Sequence, residues 1–298
     1  MCYQDLSMNS KKTGILAVLG ASLMWAFEPI FAKLAYEDSD FLQTSAIRAV
    51  VVALVALAYV LARRRRHLKV TARQFSHLVY VALAGTILGD LVYFYALTRV
   101  PVINAVLLAH MQPIFVVLMG FFLLRDDRLT KSDGAGIAVM IIAGVLVTTG
   151  TLENLYAVRL GTAGDVYVLL ATTAWATTTI AVRKYLRDLD AGVVTLYRYV
   201  VASAVFVVYL SLRSSLVLSN IHQVLVGIVV GVGTILYYEG LRRLKAAQVC
   251  ALELTTPFFA ALLGFCVLRE LVTPMQVLGM VLLFGGVCLL SRKEEVSH

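Results

Sequence analysis

Ten apolar stretches dominate the chain, near 13–36, 42–62, 74–97, 101–122, 132–150, 162–187, 191–212, 219–243, 246–268 and 274–291. Each is close to the roughly 20 residues that an α-helix needs to cross a bilayer. In lipid every backbone N–H and C=O must be satisfied within the protein, which leaves helices and closed barrels as the available folds. The period-two alternation of a barrel strand is absent. The chain therefore reads as an all-α integral membrane protein with ten transmembrane helices. Its composition agrees: 60% of residues are hydrophobic and 15% charged, whereas a soluble domain is nearer a quarter charged.

The net charge of +8 could suggest a nucleic-acid partner, but its distribution argues against one. Lys and Arg gather in alternate loops: Lys11 and Lys12; Arg63 to Arg66 with Lys69 and Arg73; Arg125, Arg128 and Lys131. The series continues with Arg183, Lys184 and Arg187; Arg242, Arg243 and Lys245; and Arg292 with Lys293. The intervening loops hold single arginines (Arg99, Arg159, Arg213, Arg269) and the acidic run EDSD at 37–40. Under the positive-inside rule both termini are expected to be cytoplasmic in a multi-pass protein of the cytoplasmic membrane. The basic loops would then face anionic lipid. Cys2, Cys250, Cys266 and Cys288 match no disulfide or metal spacing. No P-loop or other cofactor motif stands out, so no cofactor and no metal are expected. The polar first twelve residues lack a cleavage pattern and no loop is long enough for an extramembrane domain.

The chain is also written twice. With a shift of 150, Gly14, Trp25, Lys33 and Arg48 align with Gly164, Trp175, Arg183 and Arg198. With a shift of 144, GDLVYFYALTRV (89–100) falls on GTILYYEGLRRL (233–244), Pro113 on Pro257, and LLRDDRLT recurs as VLRELVT. Two repeats follow, 13–150 and 162–291, each with five helices. An odd helix number forces the halves to insert with opposite orientation. Inverted repeats are a recurrent transporter architecture, with the substrate site near mid-membrane between them.

WAFEPIFAKLA in the first helix resembles the signature of EamA-type proteins in the drug/metabolite transporter superfamily, a Trp followed about two turns later by a Lys. SAIRAVVVALVAL and TLYRYVVASAVFV resemble that family's second-helix arginine, and ALLGFCVLRELVTPMQVLGMVLLFGGVCLL its closing L-x-E and Gly-rich helix. The resemblance covers almost the whole chain. It implies ten helices and carriage of small metabolites, often as export, without naming the substrate. Two positions depart from the pattern: Glu28 stands where a small polar residue is usual, and Glu253 where small residues are usual.

An ionised side chain at mid-bilayer costs about 2.5–3.5 kcal/mol on insertion scales, so each such residue needs a reason. By depth along their helices, Arg48 with Asp90 and Arg198 with Glu239 read as two ion pairs, one per repeat; either arginine could instead meet a substrate carboxylate. Glu239 has a local alternative in Arg242 and Arg243 at i+3 and i+4. Lys33 and Arg183 lie near helix ends and can snorkel. Glu270, and Asp126 and Asp127 at the matching turn, read as local structural contacts.

Glu28 and Glu253 remain without an obvious basic partner. Trp25, Glu28 and Ala32 share one helical face, and Pro29 is expected to loosen the helix beside it. Glu253 precedes Pro257 by one turn on a face with Cys250, Ala260 and Gly264. His110 sits one turn before Pro113, near the repeat position of Glu253; it reads as a packing residue or a cavity group. Trp25, Trp175, Tyr93, Phe94, Tyr237 and Tyr238 lie inside their helices, where the rings either pack the core or hold an apolar body or cation on their π-faces. The glycines of helices 5 and 10 (Gly134, Gly136, Gly144, Gly279, Gly285, Gly286) suggest close packing within the chain, a homodimer interface being the alternative.

The expectation is a secondary transporter that exports a small amine-bearing metabolite by alternating access with protons as the coupling partner. Trp25, Glu28, Tyr93, His110, Trp175, Tyr237 and Glu253 would form its substrate site. The rival readings are a polytopic membrane enzyme and a scaffold. An enzyme would need a nucleophile–base set or a metal cluster near a membrane face, and no such set stands out.

Overall fold

The computed structural model describes residues 2–63, 68–124, 130–186, 188–213, 217–244, 249 and 252–291, with side chains from Lys11 onward except Leu123, Leu124, Arg183 and Ser291. Asp126, Asp127 and Cys250, and the basic residues at 64–66, 125, 128, 187, 245, 292 and 293, lie outside the described residues. Those described form helices α1 (Cys2–Ala35), α2 (Phe41–Ala62), α3 (Ala72–Leu97), α4 (Val102–Phe122), α5 (Lys131–Thr149) and α6 (Ala163–Tyr185). They continue with α7 (Ala191–Leu212), α8 (Ile221–Leu241), α9 (Thr255–Leu268) and α10 (Pro274–Ser291). Eight are long and apolar enough to span a bilayer, and α9 and α10 are shorter apolar helices.

Side chains start these helices as the sequence dictates. Thr71 with Gln74, Thr130 with Asp133 and Thr162 with Asp165 close reciprocal capping boxes at α3, α5 and α6. Asp40 and Asn220 cap α2 and α8. Apolar side chains such as Leu54, Val208, Phe258, Leu262 and Phe284 remain exposed on the outside of the bundle, the surface a lipid solvent requires.

Proline acts differently from expectation at Pro29. Pro29 sits inside an unbroken α1, which also begins before residue 13. The breaks fall ahead of the repeat-matched prolines instead. At His110 and Met111 the chain leaves the helix before Pro113, and at Leu254 it does so before Pro257. In α3 the chain widens into a π-helix over Ala82–Asp90, a distortion often found at functional sites.

The repeats pack by exchanging partners. α1 lies against α8 and α9, and α6 against α3 and α4; α2 packs on α7, and α5 on α10. Each of these contacts has its counterpart with the halves interchanged, as a pseudo-two-fold axis demands. Along the α5–α10 seam Gly136 and Gly286 bring the backbones together: a Cβ on Gly136 would stand 2.9 Å from the Gly286 carbonyl. Gly134 and Gly285 have nothing within 4 Å of such a Cβ and are not part of that seam.

Candidate functional site

A cavity of about 310 Å³ lies between the repeats, within the size range of small-ligand pockets. Trp25, Glu28, Tyr93, His110, Trp175, Tyr237 and Glu253 all line it, as do Arg48, Asp90 and Arg198. It reaches Val182, Leu241, Val249 and Leu290, at the ends of helices on the face where α1 begins and α10 ends. At the opposite face Tyr36 donates to the Phe94 carbonyl (2.9 Å), Asn220 to the Ala35 carbonyl (3.0 Å) and Lys33 to Glu270 (2.7 Å).

Asp90 is the centre of the polar network. Its carboxylate accepts from Arg48 Nη2 (2.8 Å), from the Trp175 indole Nε1 (2.7 Å), from Tyr199 Oη (3.4 Å) and from Arg198 Nη2 (3.4 and 3.5 Å). Arg48 is 1% exposed and lies over the Phe94 ring at 4.5 Å. Arg198 also donates Nε to Thr86 Oγ1 at 2.8 Å. The two arginines thus share one carboxylate, which corrects the expected pairing of Arg198 with Glu239. α3 packs against both α2 and α7, so its Asp90 receives an arginine from each, and depth along each helix did not identify the partner.

Glu239 is held elsewhere. It accepts from Arg63 Nη1 (3.0 Å), Tyr59 Oη (2.8 Å) and Arg243, near the end of α8, and does not line the cavity. Lys33 does not snorkel freely: its Nζ lies 2.7 Å from Glu270, whose second oxygen accepts the Val102 backbone N–H (2.8 Å) and so caps α4. Glu28 also has a basic neighbour, Arg48 Nη1 at 3.4 Å. Glu253 has no ion pair among the described residues. His110 donates Nδ1 to the Val106 carbonyl at 2.7 Å, within its own stretch of α4. Pro257 lacks the N–H that would otherwise satisfy the Glu253 carbonyl, four residues back.

The cavity holds three carboxylates (Glu28, Asp90, Glu253) and two guanidinium groups (Arg48, Arg198). With His110 neutral and every other group ionised, its charge is one negative. Its side walls are aromatic and follow the repeat. Trp175 packs against Tyr93 at 5.1 Å with the rings tilted by 55°, and Trp25 against Tyr237 at 5.0 Å and 49°, each Trp meeting the Tyr of the other half. Glycine makes both approaches possible: a Cβ on Gly89 would stand 2.8 Å from the Trp175 indole, and one on Gly233 2.9 Å from Trp25.

Some lining residues escaped the sequence reading. Gln112 donates to Thr179 at 2.7 Å, bridging α4 to α6, and Thr178, Thr234 and Thr256 border the cavity. The repeat shifts hold the signal for two of them, because Thr178 aligns with Glu28 and Thr234 with Asp90. No group of three or more His, Cys, Asp or Glu suited to a metal ion occurs among the described residues.

Known proteins resemble this chain in sequence and in fold. An uncharacterized transporter of Synechocystis sp. is 26% identical over 236 residues, covering 74% of this chain and 66% of that protein. This chain thus spans just under two thirds of that relative. An uncharacterized transporter of Archaeoglobus fulgidus is 25% identical over 297 residues, covering 97% of this chain and 100% of that protein. A solved crystal structure superposes with a TM-score of 0.68 at 20% identity, covering 95% of this chain and 99% of the other. Residues 12–149 and 162–292 each match a single family, one copy per repeat. The chain, a multi-pass membrane protein, therefore belongs to the EamA-like transporter family.

Proposed function

We propose that the protein is a secondary transporter that carries a small amine-bearing metabolite, such as an amino acid, across the cytoplasmic membrane. The observation that carries this reading is the inter-repeat cavity of about 310 Å³, with aromatic walls and a surplus of one carboxylate. A positively charged amine balances that surplus, and the Trp25 and Tyr237 faces suit an apolar body or a cation. A sugar has no cationic group to place against Glu28 or Glu253. Glu28 and Glu253 are the groups proposed to meet the amine, and to exchange it for a proton when the cavity faces the other side. Basic loops support cytoplasmic termini. In that orientation the cavity opens to the cytoplasm, which suits loading for export. The two repeats rocking about the cavity would then give alternating access.

The test is counterflow in proteoliposomes. Labelled amino acids and amines should accumulate against preloaded unlabelled compound, and sugars of similar size should not. Protein that is folded yet moves none of the amines would refute the reading.

A further inference from the structure

The two halves of the cavity match closely around their Trp–Tyr pairs, and a mismatch beside one of those pairs defines a subsite. In one half Gly89 admits Trp175, Tyr93 packs against it, and Asp90 accepts the indole N–H at 2.7 Å. In the other half Gly233 admits Trp25 and Tyr237 packs against it in nearly the same geometry. The residue after Gly233 is Thr234, which carries no carboxylate. Neither the Trp25 indole N–H nor the Thr234 hydroxyl has a hydrogen-bond partner among the described residues, and both residues line the cavity. Arg198, the repeat partner of Arg48, stands in the same lining and reaches Asp90 only at 3.4–3.5 Å, where Arg48 does so at 2.8 Å.

We propose that a carboxylate of the substrate docks at Trp25, Thr234 and Arg198, taking the place in this half that the Asp90 carboxylate takes in the other. The ligand oxygens accept from the Trp25 Nε1–H, the Thr234 hydroxyl and the Arg198 guanidinium. This rests on the transport reading above and narrows it. The substrate carries a carboxylate as well as an amine, the amine meeting Glu28 or Glu253, so its class is a zwitterionic amino acid. A neutral zwitterion leaves the cavity's net charge unchanged, and its amine and a proton take turns on the same carboxylate.

Trp25→Phe keeps the ring against Tyr237 and removes only the donor. Thr234→Asp attaches a carboxylate where the ligand's would lie. The probes are labelled neutral L-amino acids and the amines left by removing their carboxylates, in counterflow with the full-length chain. Trp25 and Trp175 are the chain's two tryptophans, so indole fluorescence gives an independent binding readout. Wild type should favour the amino acid over its amine by about tenfold or more, the scale of one or two charge-assisted hydrogen bonds. Both variants should erase most of that preference, and the amino acid should shift wild-type fluorescence more than the amine does. Equal handling of the two compounds by wild type, or an undiminished preference in folded Trp25→Phe protein, would overturn the subsite. In either case amine counterflow would leave the transport reading standing. Failure of wild type to bind or move any of these probes would overturn both.

Discussion

Replacing Asp90 with asparagine tests the central network at one atom pair. Around this carboxylate stand only donors: two guanidinium groups, an indole N–H and a phenol. The asparagine amide turns an N–H₂ toward at least one of them. The charge of the Glu28, Arg48, Asp90 and Arg198 group changes from zero to one positive, with Arg48 only 1% exposed. Removing one partner of a buried ion pair costs about 3–5 kcal/mol. Glu28, at 3.4 Å from Arg48, takes over part of the guanidinium and places the loss near the lower end, about 3 kcal/mol. At no more than about 2–4 °C per kcal/mol for a chain of 298 residues, the midpoint of thermal unfolding should fall by up to about 6–12 °C. The assay is the fraction of monodisperse protein remaining in detergent after stepped heating. Adding Arg198→Gln to Asp90→Asn removes the surplus positive charge and should recover part of the loss, a coupling absent from independent sites. A single-variant shift under about 2 °C, or a double variant as unstable as the sum of the singles, would refute the shared-carboxylate account.

Other expectations follow from the same geometry. In counterflow against pH, Glu28→Gln and Glu253→Gln should each flatten the profile, because a carboxylate that exchanges a proton for an amine binds the amine less well as the pH falls. Wild-type rates and profiles in both would make these acids structural. In a cysteine-free background, Val117→Cys in the cavity wall should react with an impermeant maleimide from the face where α1 begins; labelling from the opposite face alone would reverse the assigned opening. Glu270→Ala removes the Lys33 contact and the charged cap on α4, a loss of about 1.5–3 kcal/mol for each hydrogen bond to a charged group. It should speed labelling of Val117→Cys from that opposite face, and unchanged labelling would mean that Glu270 braces only its own turn.

Apolar run length, together with the impossibility of leaving backbone groups unpaired in lipid, determined the helical membrane fold from the sequence. The 150- and 144-residue shifts determined the repeats, because anchors such as Trp25 with Trp175 and Pro113 with Pro257 recur in order. Periodicity also put Trp25 and Glu28 on one face of α1, and both line the cavity. Pairing across helices was another matter. Helical periodicity fixes which residues share a face but not which neighbour that face meets. Only the tertiary packing could therefore bring Arg48 and Arg198 to the same Asp90 and Arg63 to Glu239, whereas the Glu239–Arg243 contact at i+4 was legible in the sequence. It also decided that Pro29 leaves α1 intact, while Pro113 and Pro257 follow breaks in the chain. Thr234 shows the division most clearly. Its alignment with Asp90 is plain in the sequence, but its meaning depends on Trp25 arriving from the other repeat, a contact that exists only because the two halves pack by exchanging partners.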